Sequence, residues 1–473
     1  MSDIYPRIST GNSKANEILH GGFPANSINL IIGQPGSGKT VFAQQLAFHN
    51  SDDNHHILYL TTMSEPVTKV VRYLQQFSFC DVDKIGSAIQ YEDIGNDLMK
   101  SGIGVLVPYL KEAIKTTSPK IIIIDSFKPL HDLSTVLEMR KMLFELTGLL
   151  TAYETTVFLL GDYSDEDTKT LPEFAVVDGI VELLRSGRST RDERFLRVLK
   201  LRGSSYIEGL HGFRILPKGL DIYPRLVTPD VAEHYVIGQD QILTGVDGLD
   251  KIIGGGLRKG SMTLVSGGTG TGKTTMALQF VIEGLRHHER SLYVNFQENP
   301  AQLERSVDNL CGLSVRNLSE VEALEVEQNI APGLDMLYIS PVEVQIDSVI
   351  VTLFRAIKEK KIRRVVIDSI GDLAMAASDP QRLHDYLYAL VQHFAVQGVT
   401  AMFTLETGDA ITGASTDSPL GRISYMSDNI FLLSLNQELP DPIREIKCVK
   451  TRGSKQDLHI HEFTIEKDGI HIT

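Results

Sequence analysis

Two short stretches carry the residue types that hold a triphosphate. GQPGSGKT (33–40) and GGTGTGKT (267–274) both fit the pattern GxxxxGK[ST]. Glycines let a backbone curl until successive N–H groups point at phosphate oxygens. Each loop runs into a helix-like segment, TVFAQQLAF or TTMALQFVI, whose N-terminal dipole favours an anion. Gly33, Gly36, Ser37, Gly38, Lys39, Thr40 and Val41 are expected around one nucleotide. Gly267, Thr269, Gly270, Thr271, Gly272, Lys273, Thr274 and Thr275 are expected around the other. Lys39 and Lys273 would reach the β- and γ-phosphates, and Thr40 and Thr274 would hold Mg²⁺.

A metal-bound triphosphate also needs an acid beside the metal. The apolar run IIIIDS ends in Asp125 and the run VVIDS ends in Asp368. Both are expected at the Mg²⁺. Hydrolysis further needs a group that polarises or deprotonates the attacking water. The strand-like run HILYL leads into TTMSEP (61–66), and its counterpart leads into NFQENP (295–300). In ungapped register Ser64 falls on Glu298 and Met63 on Gln297. A serine cannot accept that proton at neutral pH. Glu65 stands one residue further on, where a regular strand would point it to the opposite face. A bend at the strand end would bring it back; otherwise it is an acid at a helix start before Pro66. Glu298 is therefore the expected catalytic carboxylate and Glu65 the candidate in the first half. Both halves are expected to bind ATP, with most turnover in the second. Glu406, closing the apolar run AMFTLE, is a further candidate for sensing nucleotide.

The elements that must position these residues repeat along the chain. TGNSKANEILHGGFPANSINLIIGQPGSGKT (10–40) lies on TGVDGLDKIIGGGLRKGSMTLVSGGTGTGKT (244–274) without a gap. Later, KLRGSS (200–205) meets KTRGSK (450–455), and each half closes on a glycine-marked strand pair. A repeat of this length means two copies of one domain. The expected division is a first domain over 1–226, a linker over 227–236 and a second domain over 237–473. Short β-rich runs such as ILYL and TVFLL alternate with segments of helical periodicity such as VLEMRKMLFELTGLL. That alternation predicts an α/β fold with a mainly parallel sheet flanked by helices.

Composition narrows the function classes. Apolar content of 42% and charged content of 22% are those of a globular chain. No apolar run approaches the roughly 20 residues that span a bilayer, so no membrane is expected. Cys80, Cys311 and Cys448 form no CxxC pair, which disfavours a disulfide framework and fits a reducing cytoplasm. A net charge of −14 and the absence of Trp disfavour a nucleic-acid track.

The duplicated TG…HGG…GQPGSGKT and TGVDGLDKIIGGG…GGTGTGKT, with the paired K-x-RG motifs, resemble the KaiC family of tandem RecA-like ATPases over essentially the whole chain. The resemblance implies two tandem RecA-like P-loop NTPase domains and a homo-oligomer, a hexamer of two-tiered subunits with ATP between neighbours. It also implies that Lys200 and Arg202, and Lys450 and Arg452, reach a neighbour's γ-phosphate. A cation supplied in that way stabilises charge on the transferred phosphoryl group. The family carries adjacent glutamates at the catalytic strand tip, where this chain has Met63-Ser64 and Gln297-Glu298. Clock-type relatives phosphorylate an adjacent Ser-Thr pair, which here falls in RISYMSDN, with Ser424 before Tyr425 and Ser427 beyond. Ser424 and Ser427 are thus candidate autophosphorylation sites. The sequence closes at GIHIT, so a tail-dependent activator is not expected.

The leading reading is an ATP-hydrolysing ring that signals through nucleotide state to a protein partner, with autokinase activity in the second domain. One alternative is a DNA-directed recombination or repair motor on the same core. Another is a nucleotide-stabilised scaffold with little turnover.

Overall fold

The computed structural model of the chain describes residues 6–63, 66–187, 192–229, 240–298, 300–311, 325–331, 333–340, 345–377, 379–407, 423–436, 442–453 and 457–473. Ser64, Glu65 and residues 230–236 of the expected linker lie outside the described residues. The chain divides into two compact units, Met1–Arg225 and Leu226–Thr473.

The main sheet of the first unit has nine described strands: β1 (Ile28–Gly33), β2 (Ile57–Thr61), β3 (Ile89–Asp93), β4 (Ile121–Asp125), β5 (Thr156–Gly161), β6 (Gly179–Ser186), β7 (Glu193–Leu201), β8 (His211–Leu216) and β9 (Gly219–Tyr223). They form one sheet in the order β9-β8-β7-β6-β1-β5-β4-β2-β3. The six strands from β6 to β3 pair in parallel, and the last three are added antiparallel. Parallel strands are covered on both faces, which is why their sequences read as unbroken apolar runs. Alternate residues of one strand serve opposite cores. Ile121 and Ile123 pack with Phe42 and Leu46 of the helix that follows the phosphate loop. Ile122 and Ile124 pack with Leu143 and Leu146 of the helix Val136–Tyr153 on the other face. That second helix starts at a capping box, in which Thr135 and Glu138 each satisfy the other's backbone N–H.

The second unit repeats the plan. The strands of its main sheet are β10 (Met262–Gly267), β11 (Ser291–Asn295), β12 (Glu325–Ala331), β13 (Leu334–Ile339), β14 (Arg364–Asp368), β15 (Thr400–Glu406), β16 (Asn429–Asn436), β17 (Ile443–Thr451), β18 (Ile460–Glu466) and β19 (Gly469–Ile472). The order is β12-β13-β11-β14-β15-β10-β16-β17-β18-β19. The parallel block β16-β10-β15-β14-β11-β13 matches β6-β1-β5-β4-β2-β3 position for position. The addition is β12, antiparallel on the edge beside β13. In both units the phosphate loop follows a strand, β1 or β10, that lies between two parallel neighbours, and so sits at the carboxyl ends of the strands, where open α/β sheets place ligands.

The closing hairpins seat the phosphate loops. Gln45 and Gln279, on the helices after the loops, accept the backbone N–H of Leu220 and Ile470 at 3.1 and 2.9 Å. Ile215 and Ile465 of the hairpins lie against Gly38 and Gly272. Among the described residues no helix is long and apolar enough to cross a membrane.

Candidate active site

Each phosphate loop turns into its helix through a glycine in the left-handed region. Gly38 has φ +105° and Gly272 has φ +102°, and each is the N-cap residue of the helix that starts at the loop lysine. A side chain there would be strained, so the glycine of GK is a backbone requirement.

The residues expected around the metal come together in both units. Thr40 Oγ1 donates to Asp125 Oδ2 at 3.0 Å, and Thr274 Oγ1 donates to Asp368 Oδ2 at 2.9 Å. The two members of each pair are far apart in sequence. They meet because β4 and β14 lie close to the strands that carry the loops. A hydroxyl and a carboxylate are hard oxygen donors, the kind that suits Mg²⁺. Sequence reasoning missed the third partner. Tyr59 and Tyr293, each fully buried, donate to the same carboxylate oxygens at 2.7 and 2.5 Å. Burial pushes both phenols up, and the neighbouring carboxylate adds to the shift. The signal was a hydroxyl at one matching position inside two apolar runs, ILYL and SLYV.

The loop lysines differ. Lys273 Nζ donates to the carbonyl of Gly268 at 2.7 Å. Burial lowers its pKa, against which Glu406 and Asp368 act. Lys39 Nζ donates to the carbonyls of Gly33 and Gln34, both at 3.0 Å, and pairs with Asp162 just past β5. Glu406, the acid at the matching place on β15, instead accepts from Thr269 Oγ1 of its loop.

The tips of β2 and β11 differ most. In the second unit a cavity of about 310 Å³ brings Lys273, Thr274, Asp368, Gln297 and Glu298 to one space. Asn295 Oδ1 accepts the backbone N–H of both Gln297 and Glu298, at 3.1 and 3.2 Å, and so folds the tip back on itself. The Glu298 carboxylate is half-buried, and its Oε2 has no hydrogen-bond partner among the described residues. Desolvation raises its pKa, with a further push from Asp368. In the first unit the tip opens on a cavity of about 300 Å³ lined by Thr62, Met63, Asp93 and Met99. Glu65, the candidate carboxylate there, lies outside the described residues.

The K-x-R pairs lie elsewhere in each unit. Lys450 Nζ donates to the carbonyl of Ser424 and Arg452 to that of Tyr425, both at 2.9 Å. Lys200 donates to the carbonyls of Phe174 and Ala175, and Arg202 to Ala175 and Val176. Burial, and then the adjacent arginine, lowers the pKa of Lys200 and of Lys450. Neither Lys450 nor Arg452 lines the cavity at Lys273. Of the two candidate phosphosites, Ser424 is partly exposed, while Ser427 is 0% exposed and donates to the Ile423 carbonyl at 3.1 Å.

Comparison with known proteins agrees with this architecture. The family model described as "ATPase: KaiC" matches residues 8–227 and again 242–473. The chain is 27% identical over 472 residues to the circadian clock oscillator protein KaiC of Picosynechococcus sp., covering 97% of this chain and 87% of the relative. It is 27% identical over 487 residues to the circadian clock protein KaiC3 of Synechocystis sp., covering 100% of this chain and 92% of that one. A third relative, the circadian clock oscillator protein KaiC of Synechococcus elongatus, is 27% identical over 470 residues, covering 96% and 86%. With one family model matched in each half and both phosphate loops in place, the chain belongs to the KaiC family of ATPases.

Proposed function

We propose that this chain is an ATP-driven ring protein whose second unit carries most of the turnover. The observation that carries the reading is the contrast between the two strand tips. The second sets a half-buried carboxylate, Glu298, whose Oε2 has no hydrogen-bond partner among the described residues, in one cavity with Lys273, Thr274 and Asp368. The first sets Met63 at the position of Gln297.

In this reading the backbone of each loop, with Lys39 or Lys273, binds the phosphates. The pairs Thr40–Asp125 and Thr274–Asp368 hold Mg²⁺, which neutralises charge on the phosphates when bound. Glu298 takes the proton of the attacking water. Lys450 and Arg452 lie away from their own unit's cavity, which supports their service to a neighbouring copy in a homo-oligomer, taken as a hexamer. Lys200 and Arg202 take the same part in the first tier. The ring is placed in the cytoplasm, with a protein partner reading its nucleotide state.

Autokinase activity is a second reading. It is favoured by the exposure of Ser424 on the segment whose carbonyls hold Lys450 and Arg452. That segment would then report directly on the cations that serve the neighbour's phosphate.

Substitution of the two loop lysines tests the division of labour. Lys273→Ala is expected to remove most steady-state ATPase activity, and Lys39→Ala to weaken ATP-dependent assembly measured by light scattering. Equal loss of turnover in both would contradict the reading. So would a monomer in the presence of ATP and Mg²⁺. Strong stimulation of the ATPase by single-stranded DNA would favour the motor alternative. A wild-type chain that binds nucleotide without turnover would favour the scaffold.

A further inference from the structure

The duplication supplies an internal comparison at the catalytic tip. Thr61 and Asn295 each pair with the acid that ends the neighbouring strand, Asp125 and Asp368. Two residues past Thr61 and Asn295 stand Met63 and Gln297, and four residues past the acids stand Pro129 and Asp372. The first unit is apolar at both places and the second is polar at both. The two polar residues touch. Gln297 Nε2 donates to Asp372 Oδ1 at 2.9 Å and to Oδ2 at 3.0 Å.

Asp372 is itself fixed. It is 8% exposed and accepts from Ser369 Oγ at 2.5 Å, as part of the capping box of the helix Ile370–Met375. A carboxylate only accepts, so it settles which end of the Gln297 amide faces it. The nitrogen must point to Asp372, and the carbonyl oxygen Oε1 is left with no hydrogen bond among the described residues. Gln297 lines the same cavity as Lys273, Asp368 and Glu298. A neutral amide is also the side chain that fits. A glutamate at position 297 would set a second negative charge against Asp372.

We propose that Gln297 orients the attacking water in the second site through its carbonyl oxygen, and that Asp372 is its positioning residue. This rests on the reading that the second site hydrolyses ATP. Gln297 Oε1 accepts one hydrogen of the water, and Glu298 accepts the proton that leaves. The water oxygen bonds to the γ-phosphorus as the bond from that phosphorus to the β–γ bridging oxygen breaks. ADP and inorganic phosphate leave.

Steady-state ATPase of the full chain tests this, with the rate of Lys273→Ala subtracted as the first-site background. Gln297→Ala and Asp372→Ala are expected to lower kcat by at least about tenfold, with KM within about threefold of wild type. Gln297→Glu alone is expected to fall as far. Gln297→Glu with Asp372→Asn, which removes the like charge, is expected to regain most of the loss. A merely structural Asp372 would give no such rescue. Gln297 sits at a partly open tip, so its alanine variant reports even where Asp372→Ala unfolds. Wild-type kcat in Gln297→Ala, or a double variant no faster than Gln297→Glu, would overturn the inference. A wild-type rate no higher than that of Lys273→Ala would overturn the reading beneath it as well.

Discussion

Lys39 of the first phosphate loop is ion-paired with Asp162, the residue that follows the strand beside that loop. The lysine side chain is 11% exposed and the aspartate 51%. The carboxylate therefore engages the ammonium group that a bound phosphate would use. In the second unit Glu406, at the matching place, accepts from Thr269 instead, and Lys273 has no ion pair among the described residues.

Asp162→Asn is accordingly expected to tighten ATP binding at the first site. The pair is half open to water, so the gain is modest, on the order of two- to fivefold. Calorimetric titration in the Lys273→Ala background isolates that site. Unchanged or weaker ATP affinity would show that the pair imposes nothing on the nucleotide.

The raised pKa of Glu298 has a consequence for stability. Desolvation is the main cause, and the charge of Asp368 adds to it. A carboxyl whose folded pKa is raised is one the fold prefers neutral. Its stabilising contribution is whole below the unfolded pKa and is lost as pH rises through the higher folded value. At neutral pH the folded protein therefore carries a charge it disfavours. In nucleotide-free and metal-free protein, Glu298→Gln is expected to raise Tm at neutral pH. The gain should vanish as pH falls below the ordinary glutamate pKa of about 4.3. A pH series of thermal scans checks this, and a lower Tm for the variant at neutral pH would be the wrong sign.

The two serines of the RISYMSDN segment are expected to behave differently. Ser427 is fully buried with its hydroxyl committed to Ile423, whereas Ser424 is partly exposed. After incubation with ATP and Mg²⁺, phosphopeptide mass spectrometry should find modification on Ser424 and none on Ser427. Phosphate on Ser427 in folded protein, or on neither residue, would remove the autokinase reading as drawn.

Much of this arrangement was legible in the residues alone. The two glycine loops and the apolar runs ending in Asp125 and Asp368 are local patterns. A parallel sheet buried on both faces writes its strands as continuous apolar segments, so strand–helix alternation and a mainly parallel sheet could be anticipated, though not the order of the strands. The tandem repeat made each half a check on the other, and Ser64 opposite Glu298 emerged from register alone. The pairs that give each site its own character were not legible. Lys39 and Asp162, or Gln297 and Asp372, are distant in sequence and meet only because the strands that precede them pair side by side in the sheet. Tyr59 and Tyr293 were hidden because a tyrosine in an apolar run reads as core. The edge strand Glu325–Ala331 was missed because EVEQNIA has neither an apolar run nor a steady alternation. Its pairing comes from its neighbour Leu334–Ile339.

The measurement closest to the central claim is the steady-state ATPase rate of Glu298→Gln set beside that of Glu65→Gln. The account predicts that the first variant loses at least about tenfold in kcat, in the range removal of a general base costs, and that the second stays near wild type. A Glu298→Gln protein that turns over at the wild-type rate would contradict it.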